Sequence, residues 1–176
     1  MNTVALLKRS TDPLGPLRMD QAELAAALNV TQPAVSQWIA GRRSPAAQVV
    51  VTVQKAWQAR SFPGVEIGKD MRGRVVRAPA HRWVPVFRPA TRFRLPLHLD
   101  WSGSSQSRWR DARDPEDLLA AYAQVIDEGS VGDVVSWVDP EILSEFWPLV
   151  PIARSRRGAW TNHLESLGYR VTHVAV

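Results

Sequence analysis

Over the first sixty positions the apolar residues recur at helical spacing in four short runs, each closed by a turn signal. Thr3 to Arg9 places Val4 and Leu7 on one side of a short helix capped by Asn2 or Thr3. Thr11 to Arg18 holds two prolines and a glycine and reads as a loop. Behind an Asp20 N-cap, Gln21 to Leu28 carries strong helix formers with Leu24, Ala25 and Leu28 on one face. Asn29 follows where the chain must turn through left-handed backbone, and Val30 fills the space before the next helix. That helix starts after Thr31, read as its cap, with Pro33 in the first turn where a missing N–H costs nothing. Val35, Trp38 and Ile39 point inward, Gln32, Ser36 and Gln37 are left on the outer face, and Gly41 ends the run. Ser44-Pro45 is another cap-and-first-turn signature, and Ala46 to Ala59 forms a fourth helix with Val49, Val50, Val53 and Trp57 as its buried stripe.

Past Arg60 the period changes. Prolines at 63, 79, 85, 89 and 96 exclude long helices, and Gly64, Gly68 and Gly73 mark turns. Strands are expected at Arg74 to Arg77, Arg82 to Arg88 and Arg92 to Trp101. In the last, Phe93, Leu95, Leu97, Leu99 and Trp101 alternate with Arg92, Arg94, Pro96 and His98, and Pro96 puts it at a sheet edge or bulge. Ser102 to Gln106 is a polar connector. Asp114-Pro115-Glu116 then opens a helix with Leu118, Leu119, Tyr122, Val125 and Ile126 as its stripe, ended by Gly129. Ser130 and Asp133 stand in capping-box register for a second helix to Val138, and Asp139-Pro140-Glu141 opens a third with Ile142, Leu143, Phe146 and Trp147 inward. A fourth, with Trp160, Leu164 and Leu167 inward, ends at Gly168, and Tyr169 to Val176 is expected as a final strand. The fold class is therefore α+β: an all-helical head over residues 1–60, and a domain over 61–176. The latter has basic strands at 70–101, acidic helices at 114–153, a helix at 154–167 and a strand at 169–176.

Charge sharpens this division more than the net +5 does. Residues 1–60 carry 7 basic and 3 acidic groups, and residues 61–113 carry 11 and 4. Residues 114–153 hold 9 carboxylates and no Lys or Arg, and the remainder 4 basic and 1 acidic. A basic front with an acidic block behind fits a nucleic-acid binder with a separate interaction module, and equally two solvated surfaces of opposite sign. Asp127 and Glu128 sit at a helix C-terminus, where negative charge is unfavourable, and so are candidates to contact an arginine of this chain or a partner. The absence of Cys fits a reducing cytoplasm, and no stretch approaches membrane-spanning length.

The run from Asp20 to Pro45 resembles the helix-turn-helix of the phage Cro and repressor (XRE-type) family, especially its Cro-like antitoxin branch. Ala25 matches the small residue that lets the two helices approach, and Val35 the buried aliphatic of the second helix. The chain departs from the family's usual Gly at Asn29, and Pro33 and Ala34 are less polar than many members' base-contacting residues. The resemblance implies a lambda-repressor-like head that inserts its second helix into the major groove of double-stranded DNA. Gln32 and Gln37 are then the base readers, since an amide side chain bonds both adenine N6 and N7, with Ser36 a shorter third. Gln21, Thr31, Arg42 and Arg43 are placed for phosphates. Arg74, Arg77, Arg92 and Arg94, on the basic strands, are candidates for secondary DNA contacts, or the wet face of a half-buried sheet pairing with the acidic block.

No catalytic chemistry is legible. His81, His98, His163 and His173 have no metal-ligand spacing, and there is no phosphate-cradling glycine loop or nucleophile elbow. No enzyme, metal or cofactor is expected. The reading is a sequence-specific DNA-binding transcriptional repressor, in which a homodimer competes with a monomer whose basic sheet supplies the extra contacts. The alternatives are an antitoxin that grips a toxin through the acidic helices 114–147 and represses its own operon, and a phage immunity repressor.

Overall fold

The computed structural model describes residues 2–12, 14–100 and 108–173. Eight α-helices and two small antiparallel sheets among these residues make an α+β chain, and they group into two compact units. The chain leaves the first unit at residue 60, but residues 86–118 return to it; the second comprises 61–85 and 119–176.

Helices α1 (Thr3–Ser10), α2 (Gln21–Ala27), α3 (Gln32–Ile39) and α4 (Ala47–Ala59) build the head. Asn2 caps α1, its side chain accepting from Ala5 N–H. At α2 Asp20 accepts from Glu23 N–H at 2.7 Å while Glu23 accepts from Asp20 N–H at 2.8 Å, a complete capping box. Asn29 takes φ +55° and closes α2 as a Schellman motif, with Val30 N–H on Ala25 O and Asn29 N–H on Ala26 O. Gly41, φ +70°, ends α3 in the same way. The core is Leu7, Leu17, Met19, Leu24, Ala25, Val35, Trp38 and Val53, all buried. Three local expectations are corrected. Thr31 makes no capping bond, because Pro33 has no N–H to offer and Ala34 N–H is taken by the Thr31 carbonyl. The N-cap of α4 is Ala46, not Ser44. The buried residues of α4 are Val53, Ala56 and Ala59; Val49, Val50 and Trp57 are only half-buried, and Trp57 Nε1–H donates to Ser10 Oγ.

The strand expectations are corrected more heavily. Gly64 and Gly68 lie within a strand, β1 (Gly64–Lys69), which pairs antiparallel with β2 (Val75–Pro79) across a bulge between Glu66 and Gly68. Gly73, φ +75°, is in the connecting turn, organised by Asp70 accepting from Arg72 N–H, Arg74 N–H and Arg74 Nε–H. Arg82 to Arg88 is not a strand. Trp83, Pro85 and Phe87 are buried in alternation, but Trp83 N–H is taken by the Tyr169 hydroxyl rather than by a ladder. Of Arg92 to Trp101 only β3 (Arg92–Phe93) is strand, paired with β4 (Arg110–Asp111). Pro96 has no N–H to give, Leu97 N–H goes to Glu23, and the chain turns through Leu99 N–H on Pro96 O. The alternation breaks with it: Leu97 is 46% exposed and Arg94 only 8%. Trp101 and the connector Ser102 to Gln106 lie outside the described residues.

The helices α5 (Pro115–Glu128), α6 (Val131–Trp137) and α7 (Pro140–Glu145) start where the caps place them; α8 (Arg154–Ser166) follows a 3₁₀ turn at Trp147–Leu149 and starts after Ala153 without a side-chain cap. Ser130 and Asp133 form a capping box, and Asp139 caps α7. The expected final strand is absent from Tyr169 to His173; Tyr169 and Val171 are buried there, and the rest of that segment lies outside the described residues. The second unit packs α6 and α8 on the β1–β2 hairpin. Asp127 does meet an arginine of its own chain, Arg156 Nη1 at 3.0 Å.

Candidate nucleic-acid interface

Three consequences of the α2–turn–α3 geometry define the interface. First, Val35 and Trp38 are buried against the head, so the opposite side of α3 faces outward by helical periodicity. Ser36 and Gln37 are exposed there, Gln32 is exposed in the first turn, and none of the three makes a side-chain hydrogen bond among the described residues. Second, Thr31 is exposed, and its hydroxyl is not used by the helix it precedes. Third, the Schellman turn at Gly41 carries Arg42 and Arg43 into exposed positions directly after α3. Gln21, the first residue of α2, is half-buried.

The secondary candidates separate. Arg92 and Arg94 belong to the same unit as α3. Both place their guanidinium groups over the Trp109 ring, at 5.2 and 4.7 Å from its centroid. Arg92 also faces Asp111 across β3–β4. The hydrogen bonds from Arg113 hold Asp111 down at about 2, with the Arg92 charge helping. Arg94 is buried, which overturns its expected place on a wet face. Arg74 and Arg77 belong to the other unit. Arg74 pairs with Asp70 at 2.8 Å, and Arg77 stands opposite Glu66 in the hairpin register.

Residues 16–56 match a family model, described as helix-turn-helix. This segment is an XRE-type helix-turn-helix. The chain thereby carries the DNA-binding element of a transcription regulator of the XRE kind, acting on double-stranded DNA. Comparison with curated proteins and with solved structures returns no match. No helix among the described residues is long and apolar enough to cross a membrane.

Sequence reasoning missed how the helix-turn-helix is tied to residues 86–100. The Asn29 side chain bonds the backbone twice: its Nδ2–H donates to Arg88 O at 3.1 Å, and its Oδ1 accepts from Ala90 N–H at 3.0 Å. Glu23, 5% exposed, completes its capping box with one carboxylate oxygen and takes Leu97 N–H at 2.9 Å with the other. Burial, with the Asp20 charge, pushes the Glu23 carboxyl above its ordinary range against the pull of those N–H groups and of Arg94. Asn29 in place of the usual Gly was the one visible signal. Glu23 gave none, since its cap alone accounts for it.

Proposed function

We propose that the protein is a sequence-specific transcriptional repressor that reads its operator with Gln32, Ser36 and Gln37 of α3 and grips the flanking phosphates with Thr31, Arg42 and Arg43. The observation that carries this reading is the contrast along α3, where Val35 and Trp38 are buried while Ser36 and Gln37 on the other side, and Gln32 in the first turn, stand exposed. An exposed amide bonds both N6 and N7 of an adenine edge. Repression follows from occupancy: a chain bound at an operator excludes other proteins from it. Gln32→Ala and Gln37→Ala are each expected to lose about 1–3 kcal/mol of preference for the cognate site while non-specific binding stays nearly intact. Titrations on a duplex selected from a random pool, and on its scrambled version, test this. Equal losses on both duplexes, or none on either, reject base readout.

The repressor is read as a homodimer. One head offers few base contacts, and a second half-site one helical turn away supplies the rest. The carboxylates of residues 114–153, which repel a phosphate backbone, are assigned to binding a protein rather than DNA. Light scattering of the protein, followed by stoichiometry on the selected duplex, tests the assembly. A monomer binding one-to-one at full affinity overturns the dimer, and a stable complex with a co-expressed toxin would assign those helices to an antitoxin.

A further inference from the structure

Between Val86 and Leu99 the chain carries Arg88, Arg92 and Arg94, and no carboxylate. Two side chains of the helix-turn-helix hold this segment by its backbone: Asn29 at Arg88 and Ala90, and Glu23 at Leu97. Pro89 explains why an asparagine suits the first site. It has no N–H, so the groups presented across it are the Arg88 carbonyl and the Ala90 N–H, one acceptor and one donor. A primary amide answers both at once. Proline also holds the preceding Arg88 in extended backbone. Asn29 itself is fixed by the left-handed turn that launches α3, and Gln32 lies three residues further on, at most about 10 Å along the chain. The exposed Arg88 therefore starts from backbone anchored beside the N-terminal end of the reading helix.

We infer that residues 86–94 are a preorganised DNA-backbone arm, in which Arg88 contacts a phosphate flanking the site read by α3 and Asn29 is the residue that positions it. The inference rests on the DNA-binding reading above and adds a partner atom to it. Phosphate contacts beside a reading helix set register and orientation. An arm already fixed in place loses little freedom on binding. Asn29 thus serves both as the turn residue and as the clamp.

The test uses the full chain on a random-sequence 30-bp duplex, titrated over a series of salt concentrations, so no operator is needed. R88A is expected to weaken binding and to lower the log–log salt slope by about one unit, the signature of one lost phosphate contact, and R88K is expected to restore the slope. N29G keeps a residue that accepts positive φ but removes both bonds to the arm, and is expected to move affinity and slope in the same direction. The N29G/R88A double variant is expected to lose no more than R88A alone, because Arg88 acts only from a clamped arm. If N29G melts early, N29D replaces it: it tolerates the turn, keeps the acceptor for Ala90 N–H and loses the donor to Arg88 O. An unchanged slope in R88A, or losses in R88A and N29G that multiply in the double variant, overturns the inference while DNA binding stands. A wild-type chain that binds no duplex overturns the DNA-binding reading and the inference together.

Discussion

Arg156, in the second unit, is enclosed by acceptors. Its guanidinium meets Asp127 at 3.0 Å and Asp70 at 3.4 Å, together with the Asp127 carbonyl, and its side chain is 12% exposed. Arg157 beside it bonds the Trp147 and Val150 carbonyls. Arg42 and Arg43, in the first unit, are exposed and form no ion pair among the described residues, and the same holds for the polar face of α3. One residue type is thus enclosed by acceptors at Arg156 and left exposed at Arg42 and Arg43. The difference teaches that a basic composition is not itself a footprint for nucleic acid. Of the arginines expected to track phosphates, Arg74 and Arg94 are engaged by Asp70 and Trp109, whereas those next to α3 stay presented.

The comparison breaks first, and with the largest effect, at Arg156. Arg156→Ala leaves the half-buried Asp127 carboxylate facing a site built for a cation, and is expected to cost about 3 kcal/mol of stability by chemical denaturation. A loss no larger than that of a surface substitution would make the second unit's arginines as dispensable as solvated ones.

Next is Glu23, which joins α2 to the segment returning at Leu97. Glu23→Gln offers one acceptor where two N–H groups need two, and is expected to cost about 1–2 kcal/mol. Because burial raises its carboxyl, ionised Glu23 disfavours the folded state. This contribution to stability is greatest below the ordinary value of 4.5 and declines as pH rises through the elevated folded value. Melting curves between pH 4 and 8 are expected to show this decline in the wild type and not in the glutamine variant.

On the open side, replacing Arg42 and Arg43 together by Ala is expected to leave stability within about 0.5 kcal/mol of wild type while lowering the salt slope of duplex binding by about two units. A loss of stability with no change in slope would reverse their assignment.

The smallest effects expected are those of pH on the second unit. His163 is buried with its Nε2 against the Pro79 carbonyl at 2.9 Å, and desolvation depresses its pKa despite that bond. Stability from the neutral ring is full above 6.5 and falls as pH drops below it; H163Q, whose amide N–H also donates, is expected to flatten that step. At Asp70, burial pushes the carboxyl up but is outweighed by hydrogen bonds from Arg74, Arg72 and Arg156, which hold it at about 2. The stability this gives is present above 3.8 and lost as pH falls toward 2. A single acid transition in the wild type, unmoved by H163Q, would remove His163 from the account.

What the sequence by itself determined were the features closed by short-range hydrogen bonds. The Asp20 cap, the capping box at Ser130/Asp133, the Asp139 cap and the left-handed turn at Asn29 each satisfy backbone groups within a few residues, so residue type at fixed spacing was enough to place them. The outward face of α3 was legible for the same reason, as the complement of Val35 and Trp38. Only the tertiary structure decided where unpaired backbone found partners far along the chain. β1 is written with two glycines and becomes a strand because β2 supplies its ladder. Arg92 to Trp101 has a strand's alternation but yields two strand residues, because Glu23 takes the Leu97 N–H and Pro96 has none to give. Asn29 shows both levels in one residue. Its backbone follows from local turn chemistry, whereas its amide, clamped to Arg88 and Ala90 some sixty positions on, answers to a contact that no local pattern encodes.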